Sequence, residues 1–537
     1  MKTKRLLAMM LCLVLVMGTL ASCGGSGGSS SGGTSAPTKA ADDGGNGGDA
    51  GSKETAAKPA DGNYPLVVMA MMNFSGSPAG LDRIQKLISA YTEENLGISF
   101  QLMIMDSASY KQNMTLMLTS GEQVDIFNAI GVGYTSCVNK DYCLDLEEDD
   151  LIATYGAGIL ETMDKTYVDA CRIDGTLYGL PQQRDMAAGL MGIAIGAEYL
   201  DDIGYDYASK YANEGDEAIY TDLDEISEIF AQLHEKYPDK YVFAPQEATI
   251  SQGPKVDAIG GDTFGVLLDP ENSLEVEDLY SSDIFKKFCD VFYGWNQAGY
   301  ISADALTDDT AATSQVKAGT TMSYATATKP GIKQQESNLC GRDMIIFQCG
   351  DDFMKSSAVA GMPWCINSNT ADPVAAMKVL NAFYTDPYLS NLLCWGEEGK
   401  EWKKTDDGHI TFADGVSADN SEYYNNVNWQ TPNQFIAEIW EGDSLDIWER
   451  MEKFNSESVK SIALGFSFDN SAVSSTYTAL MNVYDGYVKA LFYGFTNPET
   501  GIPEVVEKMK AAGLDDYITA KQEALNKWAE ENGVTAK

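Results

Sequence analysis

Three apolar runs separated by two amphipathic stretches fill residues 64–130, and their order limits the folds open to this chain. "YPLVVMAMM" (Tyr64–Met72) reads as a buried strand. Ser77 and Pro78 supply an N-cap and a first helical residue, and Leu81, Ile84, Leu87, Ile88 and Tyr91 then recur at helical spacing up to Gly97. "ISFQLMIM" (Ile98–Met105) is a second strand. Tyr110, Met114, Met117 and Leu118 mark a second helix closed by Gly121, and "VDIFNAI" (Val124–Ile130) is a third strand. This succession predicts an open parallel sheet with helices on both faces. In such sheets ligands bind beyond the carboxyl ends of the strands, which here fall at residues 73–75 and 131–136.

The rest of the chain keeps the α/β character. "DGTLYGLPQQRD" (Asp174–Asp185) reads as a turn and an extended segment stopped by Pro181. Leu223, Ile226, Ile229, Phe230 and Leu233 share one helix face. Thr320–Thr328 and Gly361–Thr370 are further strands, and Asp372-Pro373 caps and opens another helix. The last third is largely helical, with Val473, Tyr477, Leu480, Tyr484, Val488 and Leu491 at helical spacing.

The amino terminus carries a different message. Lys2, Lys4 and Arg5 precede an apolar run, Leu6–Leu20, that fits a secretory signal and falls short of the ~20 residues of a membrane span. Leu20-Ala21-Ser22-Cys23 resembles a bacterial lipobox, which implies a signal peptide at 1–22, cleavage before Cys23 and a diacylglycerol on its sulfur. Two acyl chains anchor stably where one does not. The Gly/Ser-rich stretch 23–62 cannot bury enough surface to order itself, and as a flexible tether it has a root-mean-square span of ~35 Å. A folded body would therefore float at the extracellular face of the cell membrane.

A net charge of −42 over 537 residues argues against nucleic acid as a partner. Eight cysteines remain besides Cys12 and Cys23, none in C-x-x-C or a zinc spacing. Most sit in apolar contexts and read as buried thiols, although Cys137 with Cys143, or Cys340 with Cys349, could bridge short loops. There are two histidines and no H-E-x-x-H, P-loop or triad context, so the sequence offers no metal, cofactor or catalytic residue.

Several segments, in order, resemble the extracellular solute-binding proteins of ABC importers, and most closely the carbohydrate-binding group related to maltose-binding protein. "LTSGEQVDIFNA" is similar to the S-G-[DE]-x-x-D segment before that family's third strand. "IDGTLYGLP" is similar to its D-G-K-x-Y-G-x-P element, with Thr176 where lysine is common. "GMPWCINSNTADPVAAMKVLNAFYTDP" and "CWGEEGKEW" resemble later motifs, and the region from "LGFSFDNSAV" onward resembles a C-terminal domain of one lipoprotein subgroup. The resemblance implies an α/β, two-lobed periplasmic-binding-protein-like fold, each lobe an open sheet flanked by helices, with ligand in the cleft between them. It implies a monomer that captures a sugar or oligosaccharide and delivers it to ABC transporter permease subunits. The expected division is lobe 1 at 63–181 plus 358–414 and lobe 2 at 182–357 plus 415–537. A carrier of peptide or another solute, a ligand-binding partner of a sensor and an anchored glycoside hydrolase are the competing readings.

A sugar site needs aromatic platforms and planar polar side chains that converge. Asn73 follows the first strand, and Gln182, Gln183, Arg184 and Asp185 follow the first crossover. Tyr324, Trp364, Trp395 and Trp429 are candidate platforms, and Glu398 a candidate acceptor for sugar hydroxyls. For each tryptophan a place in the core is the competing role.

Overall fold

The computed structural model describes residues 63–537, apart from 74–76, 214–215, 247, 249–252, 309, 419 and 424–427. The signal peptide, Cys23 and the tether lie outside the described residues. β1 (Leu66–Asn73), β2 (Ser99–Asp106) and β3 (Ile126–Asn128) are parallel, with β1 between the other two. The central strand is buried at seven of its eight positions, whereas the edge strand β2 alternates buried and half-buried residues. That contrast follows from covering both faces of a central strand. Gly97 (φ 71°) and Gly121 (φ 73°) end the two intervening helices in the left-handed conformation that glycine adopts without strain. The first helix begins at Leu81 with Gly80 as its cap, not at Pro78. Ser77 and Pro78 belong instead to the preceding turn, closed by the Leu81 N–H on the Pro78 carbonyl at 3.1 Å.

The chain then crosses to a second, seven-stranded sheet. It holds β4 (Ala188–Gly196), β5 (Ala218–Tyr220), β6 (Tyr241–Ala244), β7 (Thr321–Thr328), β8 (Met344–Gln348) and β9 (Asp352–Met354). β10 (Trp364–Ile366) returns to the first sheet, antiparallel to β3. β11 (Val459–Lys460) closes the second sheet beside β9. Each sheet has its own apolar core, the first around Ile84, Phe127 and Trp364, the second around Phe230, Phe243 and Phe292.

The pairing registers fix which ends face each other. Trp364, at the start of β10, lies opposite Asn128, at the end of β3. Thr328, at the end of β7, lies opposite Gly189, at the start of β4, and β6 runs parallel to β7. The carboxyl ends of β1 and β3 and those of β6 and β7 therefore all lie toward the segments that cross between the lobes. These segments are hydrogen-bonded side by side. Leu180 and Trp364 exchange two backbone bonds of 2.9 and 2.8 Å. The Gln183 N–H donates to the Pro432 carbonyl at 2.9 Å, and the Gln434 N–H to the Gln183 carbonyl at 3.0 Å. Asn455 is buried beneath them: its Oδ1 accepts from Met186 N at 2.8 Å and Ala187 N at 3.1 Å, and its Nδ2 donates to the Arg184 carbonyl at 2.7 Å.

One expected boundary is corrected. The chain does not pass to the second lobe near Gly415. Glu422 accepts from Gly80 N at 2.8 Å, Tyr423 donates to the Leu393 carbonyl at 2.8 Å and Gln430 Oε1 accepts from Met72 N at 2.9 Å. Glu422, Tyr423 and residues 428–434 thus cap the first lobe, and the second sheet is regained only at β11, after the helix Ile447–Glu457. The eight cysteines of the described body are free thiols, seven of them buried.

Candidate functional site

Gln430 stands where β1 ends. It has no exposed surface, and its Oε1 is taken by Met72 N, one residue before Asn73. Its carbonyl accepts from Trp364 Nε1 at 2.9 Å, yet its amide Nε2 is buried without a partner. Asn428 Oδ1, in the same short helical turn Asn428–Gln430, is also buried and unpaired. Across the crossovers, Gln246 follows the carboxyl end of β6, and both its amide atoms are buried without a partner. On the first crossover Arg184 donates to the Asp185 and Ala358 carbonyls, but its Nε is unpaired, and so is Asp185 Oδ1. Burial pulls the Arg184 guanidinium below its usual pKa, with Asp185 opposing the shift. Asp185 Oδ2 takes Lys329, at the end of β7, at 2.8 Å. Buried polar atoms are nearly always satisfied, and each one left unmade costs about 1–3 kcal/mol. Gln430, Asn428 and Gln246, at the carboxyl ends of the two sheets, and Arg184 and Asp185, on the crossover between them, are among the residues that keep such atoms.

The expected residues divide on their surroundings. Asn73 is buried at the end of β1, and Gln182 and Gln183 are buried in the first crossover. Gln182 donates its amide to the Met362 carbonyl, and Gln183 pairs through its backbone with 432–434. Trp429 is half-buried between Asn428 and Gln430 and rests on the first core. Two platforms are corrected. Trp364 is wholly buried, with its indole N–H on Gln430 and its ring in the first core. Tyr324 is 2% exposed, and its hydroxyl donates to the buried Glu336 carboxylate within a small core of the second lobe. Neither ring has a face left for a ligand. Trp395 is half-buried, donates to the Glu438 carbonyl at 3.1 Å and lies 5.2 Å from Trp440. Glu398 is exposed in the turn before the strand Trp402–Lys404; its neighbours Glu397 and Glu401, not Glu398, hold Arg83. In the surface hollow beside Arg83, Lys86, Glu397, Lys400 and Glu422, Arg83 pairs with Glu397 and Lys400 with Glu422, while Arg83 Nε is buried without a partner.

Gln246, Asn428 and Gln430 were not anticipated from sequence. The signal for the last two was the amide-rich run "NWQTPNQ" (Asn428–Gln434), which flanks the one tryptophan that was singled out there. Beside the site, Asp443 is raised to about 6 by burial and by the Glu217 carboxylate, while Lys329, His409 and Arg450 oppose the shift. Among the described residues no cluster of three histidine, cysteine or carboxylate side chains could hold a metal ion. Among them no helix is long and apolar enough to cross a membrane.

The sequence profile described as "Bacterial extracellular solute-binding protein" matches residues 86–392, more than half of the chain. The chain belongs to the bacterial extracellular solute-binding proteins. A second profile, described as a domain of unknown function, matches residues 462–530. A curated relative from Streptococcus pneumoniae, described as a carbohydrate ABC transporter substrate-binding protein, is 25% identical over 468 residues, covering 86% of this chain and 90% of its own. Among solved structures, the N-glycan transport solute-binding protein NgtS of the same species is 23% identical and covers 87% of this chain and 100% of its own, with a TM-score of 0.75. Its complex with Man1GlcNAc has a TM-score of 0.68. The S. pneumoniae substrate-binding protein FusA in complex with kestose, 14% identical, covers 87% of this chain and 99% of its own at a TM-score of 0.56. These likenesses place the two-lobed solute-binding fold on this chain, and its extracellular location follows from the family.

Proposed function

We propose that this solute-binding protein captures an oligosaccharide between its lobes and passes it unchanged to the permease of an ABC importer. The observation that carries the reading is the set of unpaired buried groups at the carboxyl ends of both sheets: Gln430 and Asn428 on one lobe, Gln246 on the other, Arg184 and Asp185 between. A sugar hydroxyl both donates and accepts, so one ring can satisfy an amide N–H, an amide carbonyl and a carboxylate together. Half-buried Trp429, beside Gln430, offers an indole for the C–H face of a ring. The curated relative's description and the saccharide complexes of NgtS and FusA favour this ligand class over peptide. Because the groups come from both lobes, the full set is met only when the lobes close, and the ligand's preference for that state drives closure. In this reading Cys23 carries the lipid that keeps the protein at the cell surface, and the protein acts as a monomer.

A panel of mannose- and N-acetylglucosamine-containing oligosaccharides, screened by thermal shift and followed by chromatography of the incubated sugar, tests this. A binder at 100 times its Kd adds about 2.7 kcal/mol of stability. No shift with any saccharide, or steady release of smaller sugars, would overturn the reading.

A further inference from the structure

The segment matching the domain of unknown function holds, through one buried cation, a loop that grips the interlobe crossover. Lys521, on the helix Leu514–Asn532, has no exposed surface. Its ammonium donates to Asp262 Oδ1 at 3.0 Å, the Ala258 carbonyl at 3.1 Å and the Gly265 carbonyl at 3.0 Å. An ammonium has three donors, and all three are used. The other Asp262 oxygen accepts from Tyr517 Oη at 2.7 Å.

All three acceptors belong to one loop, closed by paired backbone bonds between Asp257 and Leu267 of 3.0 and 2.9 Å. Inside it Ile259 has φ 38°, a conformation that a β-branched side chain adopts only when its surroundings impose it. The imposing contacts come from the loop itself, where Ile259 N donates to Asp257 Oδ1 at 3.0 Å, and from the C-terminal segment. Lys521 ties both arms of the loop, and Phe468 N donates to the Ile259 carbonyl at 3.2 Å. A Cβ on the neighbouring Gly260 would come within 2.9 Å of Phe468 Cβ.

The loop in turn grips the crossover between β9 and β10. Asp257 is 1% exposed; its Oδ2 accepts from Ser356 N at 2.8 Å and its Oδ1 from Ser356 Oγ at 2.9 Å. The Ser356 carbonyl accepts from Gly465 N at 3.1 Å. The same segment touches the first lobe, where Asn139 Nδ2 donates to Asp469 Oδ2 at 2.9 Å.

We infer that the C-terminal segment sets the angle between the lobes, with Lys521 as a positioning residue that holds Asp257 against Ser356 at the hinge. This rests on the reading that ligand is captured by lobe closure. The test is the interlobe distance in the full chain, read by electron–electron double resonance between nitroxides on Leu116→Cys and Leu339→Cys. These positions are 65% and 50% exposed, one on each lobe. Ser356→Ala and the charge-removing pair Lys521→Met/Asp262→Asn should each move or broaden the ligand-free distribution beyond that of the parent, and Ser356→Thr should restore it. A folded variant with the parental distribution overturns the inference, whatever its melting temperature. Should the double variant fail to fold, Ser356→Ala decides alone. Capture is tested separately: if Man1GlcNAc and the rest of the panel leave the parental distance unchanged, the closure reading fails, while the ligand-free comparison still judges the hinge.

Discussion

Replacing Asn455 with alanine removes three hydrogen bonds from the crossovers at once. The acceptor shared by Met186 N and Ala187 N goes, and so does the donor to the Arg184 carbonyl. Met186, Ala187 and Asn455 are 6%, 3% and 4% exposed, so bulk water does not reach these groups directly. At about 1–3 kcal/mol for each buried group left unmade, the variant should lose about 3–9 kcal/mol, less whatever a water entering the vacated space recovers. Asn455→Asp keeps the acceptor for both N–H groups but sets a carboxylate oxygen against the Arg184 carbonyl, and should lose about 1–3 kcal/mol. Urea unfolding of each variant gives the difference from the shift in midpoint at constant slope. A loss below about 1 kcal/mol for Asn455→Ala would refute the claim that this side chain ties the crossovers together.

Gln430→Glu keeps the acceptor for Met72 N and replaces the unpaired amide donor with a buried carboxyl oxygen. It should weaken saccharide binding by about 10–100-fold, since an unmet polar group costs about 1–3 kcal/mol, and titration calorimetry would check it. Asp443, raised from 3.8 to about 6, holds its proton more tightly folded than unfolded, so it adds stability below about pH 4 and loses it as pH climbs through 6. Asp443→Asn should therefore raise stability at pH 7.5 by about 1–3 kcal/mol and leave it little changed at pH 4, read as melting temperatures at both pH values. Cys23→Ser should release the protein from the membrane fraction with its melting temperature unaltered, and retention of a processed variant there would count against lipidation.

Sequence spoke most clearly where a local pattern meets a local cause. The strands of the first sheet are apolar runs, the glycines at 97 and 121 end helices because their φ is positive, and Asp372 caps its helix through Ala375 N. The site was less legible because its assignment depends on which way a ring or an amide turns. Trp364 and Trp429 both stand near strand ends or crossovers, yet one is core and the other half-buried beside unpaired amides. The boundary near Gly415 failed for a related reason. Glu422, Tyr423, Gln430 and Asn433 attach to the first lobe mainly through single bonds to partners far away in sequence. No periodicity announces such attachments.

The contrast between the crossovers and the strand ends has a functional logic. Along the crossovers the polar side chain of Asn455 and the backbone groups joining Leu180 to Trp364 and Gln183 to 432–434 are paired within the protein. Those bonds are complete within the protein and ask nothing of a ligand, whereas Arg184 and Asp185 on the same crossover keep unpaired atoms. At the strand ends the balance is reversed: Gln430 and Gln246 are held at buried positions with amide atoms unmet. A protein that filled those valences internally would be more stable and would have less to offer a sugar hydroxyl. Discrimination then follows from the same atoms. A saccharide lacking the hydroxyl that meets the Gln430 amide would leave it buried and unpaired, a penalty of about 1–3 kcal/mol, or roughly 10–100-fold in affinity. Selectivity among oligosaccharides in this site should therefore track the pattern of hydroxyls near Gln430 and Gln246 more closely than the apolar area covered on Trp429.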